Sequence, residues 1–80
     1  MLEQTSATIK LRILYSILLL KEFNALSTEE LAKFLEVSPE MMQQVVKIME
    51  EEALIVKQGN RYQLTEKGEK MYHLYDLFFI

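Results

Sequence analysis

The 80-residue chain has no cysteine and no tryptophan, and only one histidine, one proline and two glycines. Without cysteine, disulfides and thiolate metal sites are excluded, which fits a reducing compartment, and a cytoplasmic location is expected. The single histidine, His73, has no second ligand type near it in the sequence and is expected at the surface or in an interface. There is no glycine-rich phosphate loop, and no pair of carboxylates has a reason to be buried. We therefore expect no enzyme activity, no cofactor and no metal. The longest apolar run, Ile13 to Leu20, is broken by Ser16. That is short of the roughly 20 residues a membrane-spanning helix needs. The opening MLEQTSAT has no basic stretch and carries Glu3, so it does not read as a secretory signal, and a soluble protein is expected. Basic residues are few: nine against twelve acidic ones, a net charge of −3. That balance opposes a nucleic-acid partner unless the basic groups gather on one face.

What is present is apolar. Half of the residues are hydrophobic, ample for one globular domain. A core of this size is marginal for a monomer, so oligomerisation is expected. Residues 1–6 read as a frayed tail. Over 7–23 the pattern is helical, with Ile9, Leu11, Ile13, Leu14, Ile17, Leu18, Leu19 and Leu20 covering more than one face, and Lys10, Arg12, Lys21 and Glu22 on the wet side. So wide an apolar arc is buried on more than one side, either as a central core helix or also in a subunit contact.

The most informative stretch runs from Ser27 to Ile55. Ser27 and Glu30 have the spacing of a capping box opening a helix over 28–36. Leu31, Phe34 and Leu35 have the i, i+3, i+4 spacing of one buried face. Ser38 followed by Pro39 marks a second helix start, over 39–52. Met42, Val45, Val46 and Met49 form its inner face, leaving Glu40, Met41, Gln43, Gln44 and Lys47 outside. Its acidic end, Glu50 to Glu52, opposes the helix macrodipole and reads as a solvated face. Two helices so closely joined form a helix-turn-helix, whose second helix fits a DNA major groove, although the same pair occurs in small helical bundles. Next, Leu54-Ile55-Val56 reads as a strand, Gly59-Asn60 as a two-residue primed turn, and Arg61 to Leu64 as a half-buried return strand, giving a hairpin over 54–64. Thr65 can cap a last helix over 66–79. The expected class is mainly α with a small β-hairpin, in the order helix, helix, helix, strand, strand, helix.

That order is the winged helix-turn-helix arrangement. The string LAKFLEVS, with the later apolar positions and ALI at 53–55, resembles the core of MarR-like and PadR-like regulators. The segment Tyr62-Gln63-Leu64-Thr65-Glu66-Lys67-Gly68 resembles the ending that closes their wing and opens the last helix. With no separate sensor domain, the chain looks like the minimal single-domain regulators of archaea and their viruses, which dimerise through terminal helices. Ala53 stands where such proteins often have glycine, so the helix exit is expected without a left-handed glycine. The recognition helix is poorer in Arg, Lys, Ser and Thr, and the wing shorter, than in those families.

The resemblance implies a dimeric, sequence-specific protein that binds double-stranded DNA and regulates transcription. Gln43 and Gln44 are candidates for bidentate contacts to adenine, and Lys47 for a phosphate or guanine. Ser38 with the first amides of its helix suits a phosphate, Glu40 a cytosine amino group, and Met41 a thymine methyl. Lys57 and Arg61 flank the hairpin turn as wing contacts, Arg61 foremost; Lys33, and Lys10 or Arg12, are candidates for the backbone. Each of the two glutamines is equally an ordinary surface residue. In the last helix, Met71, Leu74, Tyr75, Leu77, Phe78 and Phe79 are more apolar bulk than a short terminal helix needs. They are expected to meet the same helix and the first helix of a second copy, or else to fold over their own core. The alternative reading is a winged helix that docks a protein partner and does not bind DNA, which the acidic balance favours.

Overall fold

Six elements follow one another in the computed structural model, which describes the backbone of residues 2–79 and the side chains of residues 8–74. They are α1 (Leu2–Phe23), α2 (Thr28–Leu35), α3 (Pro39–Glu51), β1 (Ile55–Gln58), β2 (Arg61–Leu64) and α4 (Glu66–Phe79). The order is the expected one. The expected tail over 1–6 is not: α1 already begins at Leu2. Nothing there breaks a helix, since the first proline is Pro39 and the first glycine Gly59, and Glu3 suits a helix N-terminus.

Both inner helices start as their sequences dictate. The Ser27 hydroxyl accepts from the Glu30 amide at 3.1 Å, and the Glu30 carboxylate accepts from the Ser27 amide at 2.9 Å. Ser38 accepts from the Met41 amide at 3.1 Å, with Pro39 at the first helical position. Leu31 and Ala32 of α2 and Met42, Val45, Val46 and Met49 of α3 are buried with Ile17 and Leu20 of α1. Leu26, Leu54, Ile55 and Tyr62 complete this core. One expected core position fails. Phe34 is 51% exposed and stacks on Phe23 with ring centroids 5.1 Å apart, while Ala32 takes the place at the core. The small side chain allows the close approach of α2, and the large ring is turned to its edge. Ser16, which interrupts the apolar run, is fully buried, and its hydroxyl donates to the Arg12 carbonyl at 2.7 Å. That bond satisfies its polar atom and lets it pack as a small core residue.

The helix exits turn on left-handed residues, none of them glycine: Asn24 (φ 71°), Glu36 (φ 56°) and Ala53 (φ 60°). At the end of α3 the Ala53 amide donates to the Glu50 carbonyl at 2.9 Å and the Leu54 amide to the Met49 carbonyl at 2.9 Å. This is the Schellman pair of bonds, with buried Leu54 and Met49 supplying its apolar contact. So the exit lacks glycine, as expected, yet keeps the left-handed turn. Left-handed geometry costs an L-residue roughly 1–2 kcal/mol. Glycine's extra freedom in the unfolded chain takes back about 0.4–1 kcal/mol. Ala53→Gly should therefore stabilise the fold by about 1 kcal/mol, read as a rise of about 4–8 °C in Tm.

β1 and β2 pair antiparallel in the register Ile55↔Leu64, Val56↔Gln63, Lys57↔Tyr62, Gln58↔Arg61. In the two-residue turn Gly59 has φ 66° and Asn60 is not among the positive-φ residues, the signs of a type II′ turn. Leu26 extends the sheet on the other side of β2: its amide donates to the Tyr62 carbonyl at 3.2 Å and accepts at its own carbonyl from the Tyr62 amide at 2.8 Å. Thr65 then starts α4, its hydroxyl accepting from the Gly68 amide at 3.1 Å and donating to the Ala53 carbonyl at 2.5 Å. α4 lies on α1, tied by Lys21 Nζ to Glu69 Oε1 at 2.8 Å. The hydrogen bond to Glu69, together with its charge, raises the Lys21 pKa.

Candidate nucleic-acid interface

α3 divides cleanly into two sides. Met42, Val45 and Met49 are fully buried, while Glu40, Gln43, Gln44 and Lys47 are exposed as the sequence implies. Met41 departs from that division, being half-buried. It sits in the first turn, where its amide is the one held by Ser38. The Ser38 hydroxyl is accordingly engaged in the cap, and Pro39 has no amide hydrogen to offer. An anion at this helix end would use the hydroxyl proton, which the cap leaves free to donate, and the remaining free amides. The exposed charges of α3 are the carboxylates of Glu40, Glu50 and Glu51 against the single ammonium of Lys47.

The wing residues are separated by the hairpin itself. Residues opposite one another in an antiparallel pair share a face, and neighbours along a strand alternate. Lys57 therefore stands on the face of Tyr62, exposed at its outer end, and Arg61 on the face of Val56 and Gln63. Arg61 is not free: its Nη2 lies 3.5 Å from Glu30 Oε2. Glu30 holds its charge firmly. Its pKa is lowered, chiefly by the hydrogen bond from the Ser27 amide; desolvation opposes this, and the nearby Arg61 charge adds a smaller lowering. A carboxylate with a depressed folded pKa contributes stability above its unfolded pKa, and loses it as pH falls through the folded one. In melts from neutral pH downward, the wild type should lose Tm through and below the ordinary carboxylate range. Its advantage over Glu30→Gln should close over the same window.

Lys33 is exposed on α2 beside Glu30 and Phe34, where the three line a shallow depression. Lys10 is exposed and Arg12 half-buried on α1. Of the expected subunit contact, Met71 is half-buried against the core and Leu74 is 52% exposed; the side chains of Tyr75, Leu77, Phe78 and Phe79 lie outside the described residues. On α1, Leu11 and Tyr15 are also about half exposed. His73 is exposed, its ring edge-on to Tyr72 at 5.4 Å. Among the described residues no cluster of ligating side chains could hold a metal ion, and no helix is long and apolar enough to cross a membrane.

Sequence reasoning missed the Glu30–Arg61 pair. Glu30 is legible only as a capping residue, and nothing local connects it to a residue on a distant strand. It also missed the Leu26–Tyr62 bridge, which lacks any strand-like run around Leu26.

No curated protein and no solved structure matches the chain. A family model described as winged helix-turn-helix matches residues 9–79, from the first helix through the wing to the end of α4. With three helices, a two-stranded wing and a closing helix in the order that family requires, the chain belongs to the winged helix-turn-helix family.

Proposed function

We propose that this domain is a homodimeric, sequence-specific DNA-binding protein that regulates transcription. α3 enters the major groove, and the wing lies on the flanking backbone or minor groove. The observation that carries the reading is the polar face of α3. Gln43, Gln44 and Lys47 stand exposed on a helix whose opposite side is locked into the core. Glutamine offers a donor and an acceptor to an adenine edge. Lys33, Lys47 and Lys57 supply phosphate contacts from three different elements. Dimerisation through α1 and α4 is supported by the half-exposed Leu11, Tyr15 and Leu74. Leu11 also lines an apolar groove of about 480 Å³ with Ile13, Leu14, Leu54 and Met71 among others. Two-fold symmetry would set the recognition helices on half-sites roughly 34 Å apart.

The test is binding to random-sequence and selected duplexes over a range of salt. Affinity should fall with a log–log slope of about −0.9 per neutralised phosphate, and Lys47→Ala should make the slope shallower by about 0.9. Gln43→Ala with Gln44→Ala should leave random-sequence binding in place and flatten discrimination, each lost bidentate contact being worth about 1–3 kcal/mol. Absence of binding to every duplex at low salt rejects the proposal. One observation favours a second reading, a winged helix that docks a protein: α3 exposes three carboxylates, of Glu40, Glu50 and Glu51, against one ammonium.

A further inference from the structure

We propose that Glu30 sets the sequence discrimination of this domain by occupying Arg61, keeping the wing's guanidinium out of indiscriminate phosphate binding. The proposal rests on the DNA-binding reading above. Most surface ion pairs join two loose side chains and are worth little. Here Glu30 is held by the fold, and the backbone that carries Arg61 is tied beside it. One oxygen of Glu30 accepts from the Ser27 amide at 2.9 Å, which leaves the other facing Arg61 at 3.5 Å. Arg61 precedes Tyr62, whose amide and carbonyl are both bonded to Leu26, the residue before Ser27. The start of α2, capped by Ser27, and the strand that carries Arg61 are thus stitched together by backbone bonds one residue before that cap and one residue after Arg61.

A guanidinium already neutralised by a carboxylate releases no counterion when it meets a phosphate. A phosphate approaching Arg61 also meets the charge of Glu30. Random-sequence affinity then falls mainly to Lys47 and Lys57, with a lesser part from Lys33, whose charge also acts on Glu30, while base contacts from Gln43 and Gln44 are untouched. Specificity is the ratio of the two affinities, so lowering the indiscriminate term raises it. The guanidinium has five donors, and the side chain is 55% exposed, so the pair can part when a complementary site is engaged.

The experiment measures binding to random-sequence duplex across a salt series for wild type, Glu30→Gln, Arg61→Ala and the double variant. Glutamine preserves the capping box, because its amide oxygen still accepts from the Ser27 amide, and it removes the charge. Melting curves on each protein check that the fold survives. Glu30→Gln should bind random DNA severalfold more tightly, with a salt slope steeper by about 0.9. Arg61→Ala alone should weaken binding without steepening the slope, because it leaves the Glu30 charge bare, and the double variant should return to the wild-type slope. An equal gain from Glu30→Gln with and without Arg61 overturns the proposal, because Glu30 would then act only as a repelling charge. No gain at all overturns it too. If neither wild type nor Glu30→Gln binds at low salt, the DNA-binding reading itself fails and the proposal falls with it. Wild-type binding without coupling between the two residues removes this proposal alone.

Discussion

Gly68→Ala should cost about 3 kcal/mol or more, near the upper end for overpacking. A Cβ built at Gly68 would lie inside contact distance of the Leu54 carbonyl oxygen and meet a Leu64 methyl at 3.0 Å. The methyl belongs to a side chain and can swing away. The carbonyl cannot, because it accepts from the Thr65 amide at 3.0 Å and follows directly on the turn at Ala53. Relief therefore demands that the start of α4 lift off the wing, breaking the Thr65 cap as it goes. A domain of this length is stable by roughly 4–12 kcal/mol, at about 0.05–0.15 kcal/mol per residue. The loss is then a large fraction of the whole. Thermal melts should show a fall in Tm of at least about 10 °C. Gly59→Ala is the control. Gly59 has φ 66° and open space around it, so only backbone strain is felt, roughly 1–2 kcal/mol. Equal losses at the two positions would refute the close-contact explanation.

On the proposed function, a dimer joined through α1 and α4 that binds an operator, Leu11→Glu combined with Leu74→Glu should give a monomer and weaken operator binding a hundredfold or more. Both side chains are about half exposed, so a carboxylate at either position can reach water in the isolated subunit. The melting temperature of the monomer should therefore change little at equal protein concentration beyond the loss of subunit contact. In a two-fold seam the same carboxylates meet apolar surface and one another, which neither desolvation nor like-charge contact favours. Linking two DNA-binding units raises avidity by about 10²–10⁴ over one. Separating them forfeits that factor even though every residue of α3 is intact. Light scattering on wild type and variant gives the mass, and titration with operator DNA gives the affinity. A wild type that is itself monomeric at the concentrations used would remove this expectation.

The fold was legible wherever a local signal has a single physical meaning. Ser27 with Glu30, Ser38 with Pro39, and Gly59-Asn60 each specify a backbone event within four residues, and each event occurs. Apolar spacing was a weaker guide. It identifies the inner side of α2 but not which apolar residue stands at its rim, so the spacing points Phe34 inward, whereas the smaller Ala32 is buried. Burial of Ser16 was illegible for the opposite reason, because its polarity is cancelled by a bond to its own helix at Arg12. In the candidate site, the exposure of Gln43, Gln44 and Lys47 followed from the periodicity of α3. The state of Arg61 did not, since it depends on Glu30, which tertiary structure alone brings near.

The bridge between Leu26 and Tyr62 has a consequence for behaviour at high concentration. With β1 on one side of β2 and Leu26 on the other, the sheet edge left unpaired among the described residues lies along β1. An open edge is a template on which another chain can add a strand and begin aggregation. This one is four residues long, carries the charge of Lys57, and ends in a tight turn at Gly59. It offers too little length and too much charge for ordered edge-to-edge growth. The small wing is in this way guarded against fibril formation.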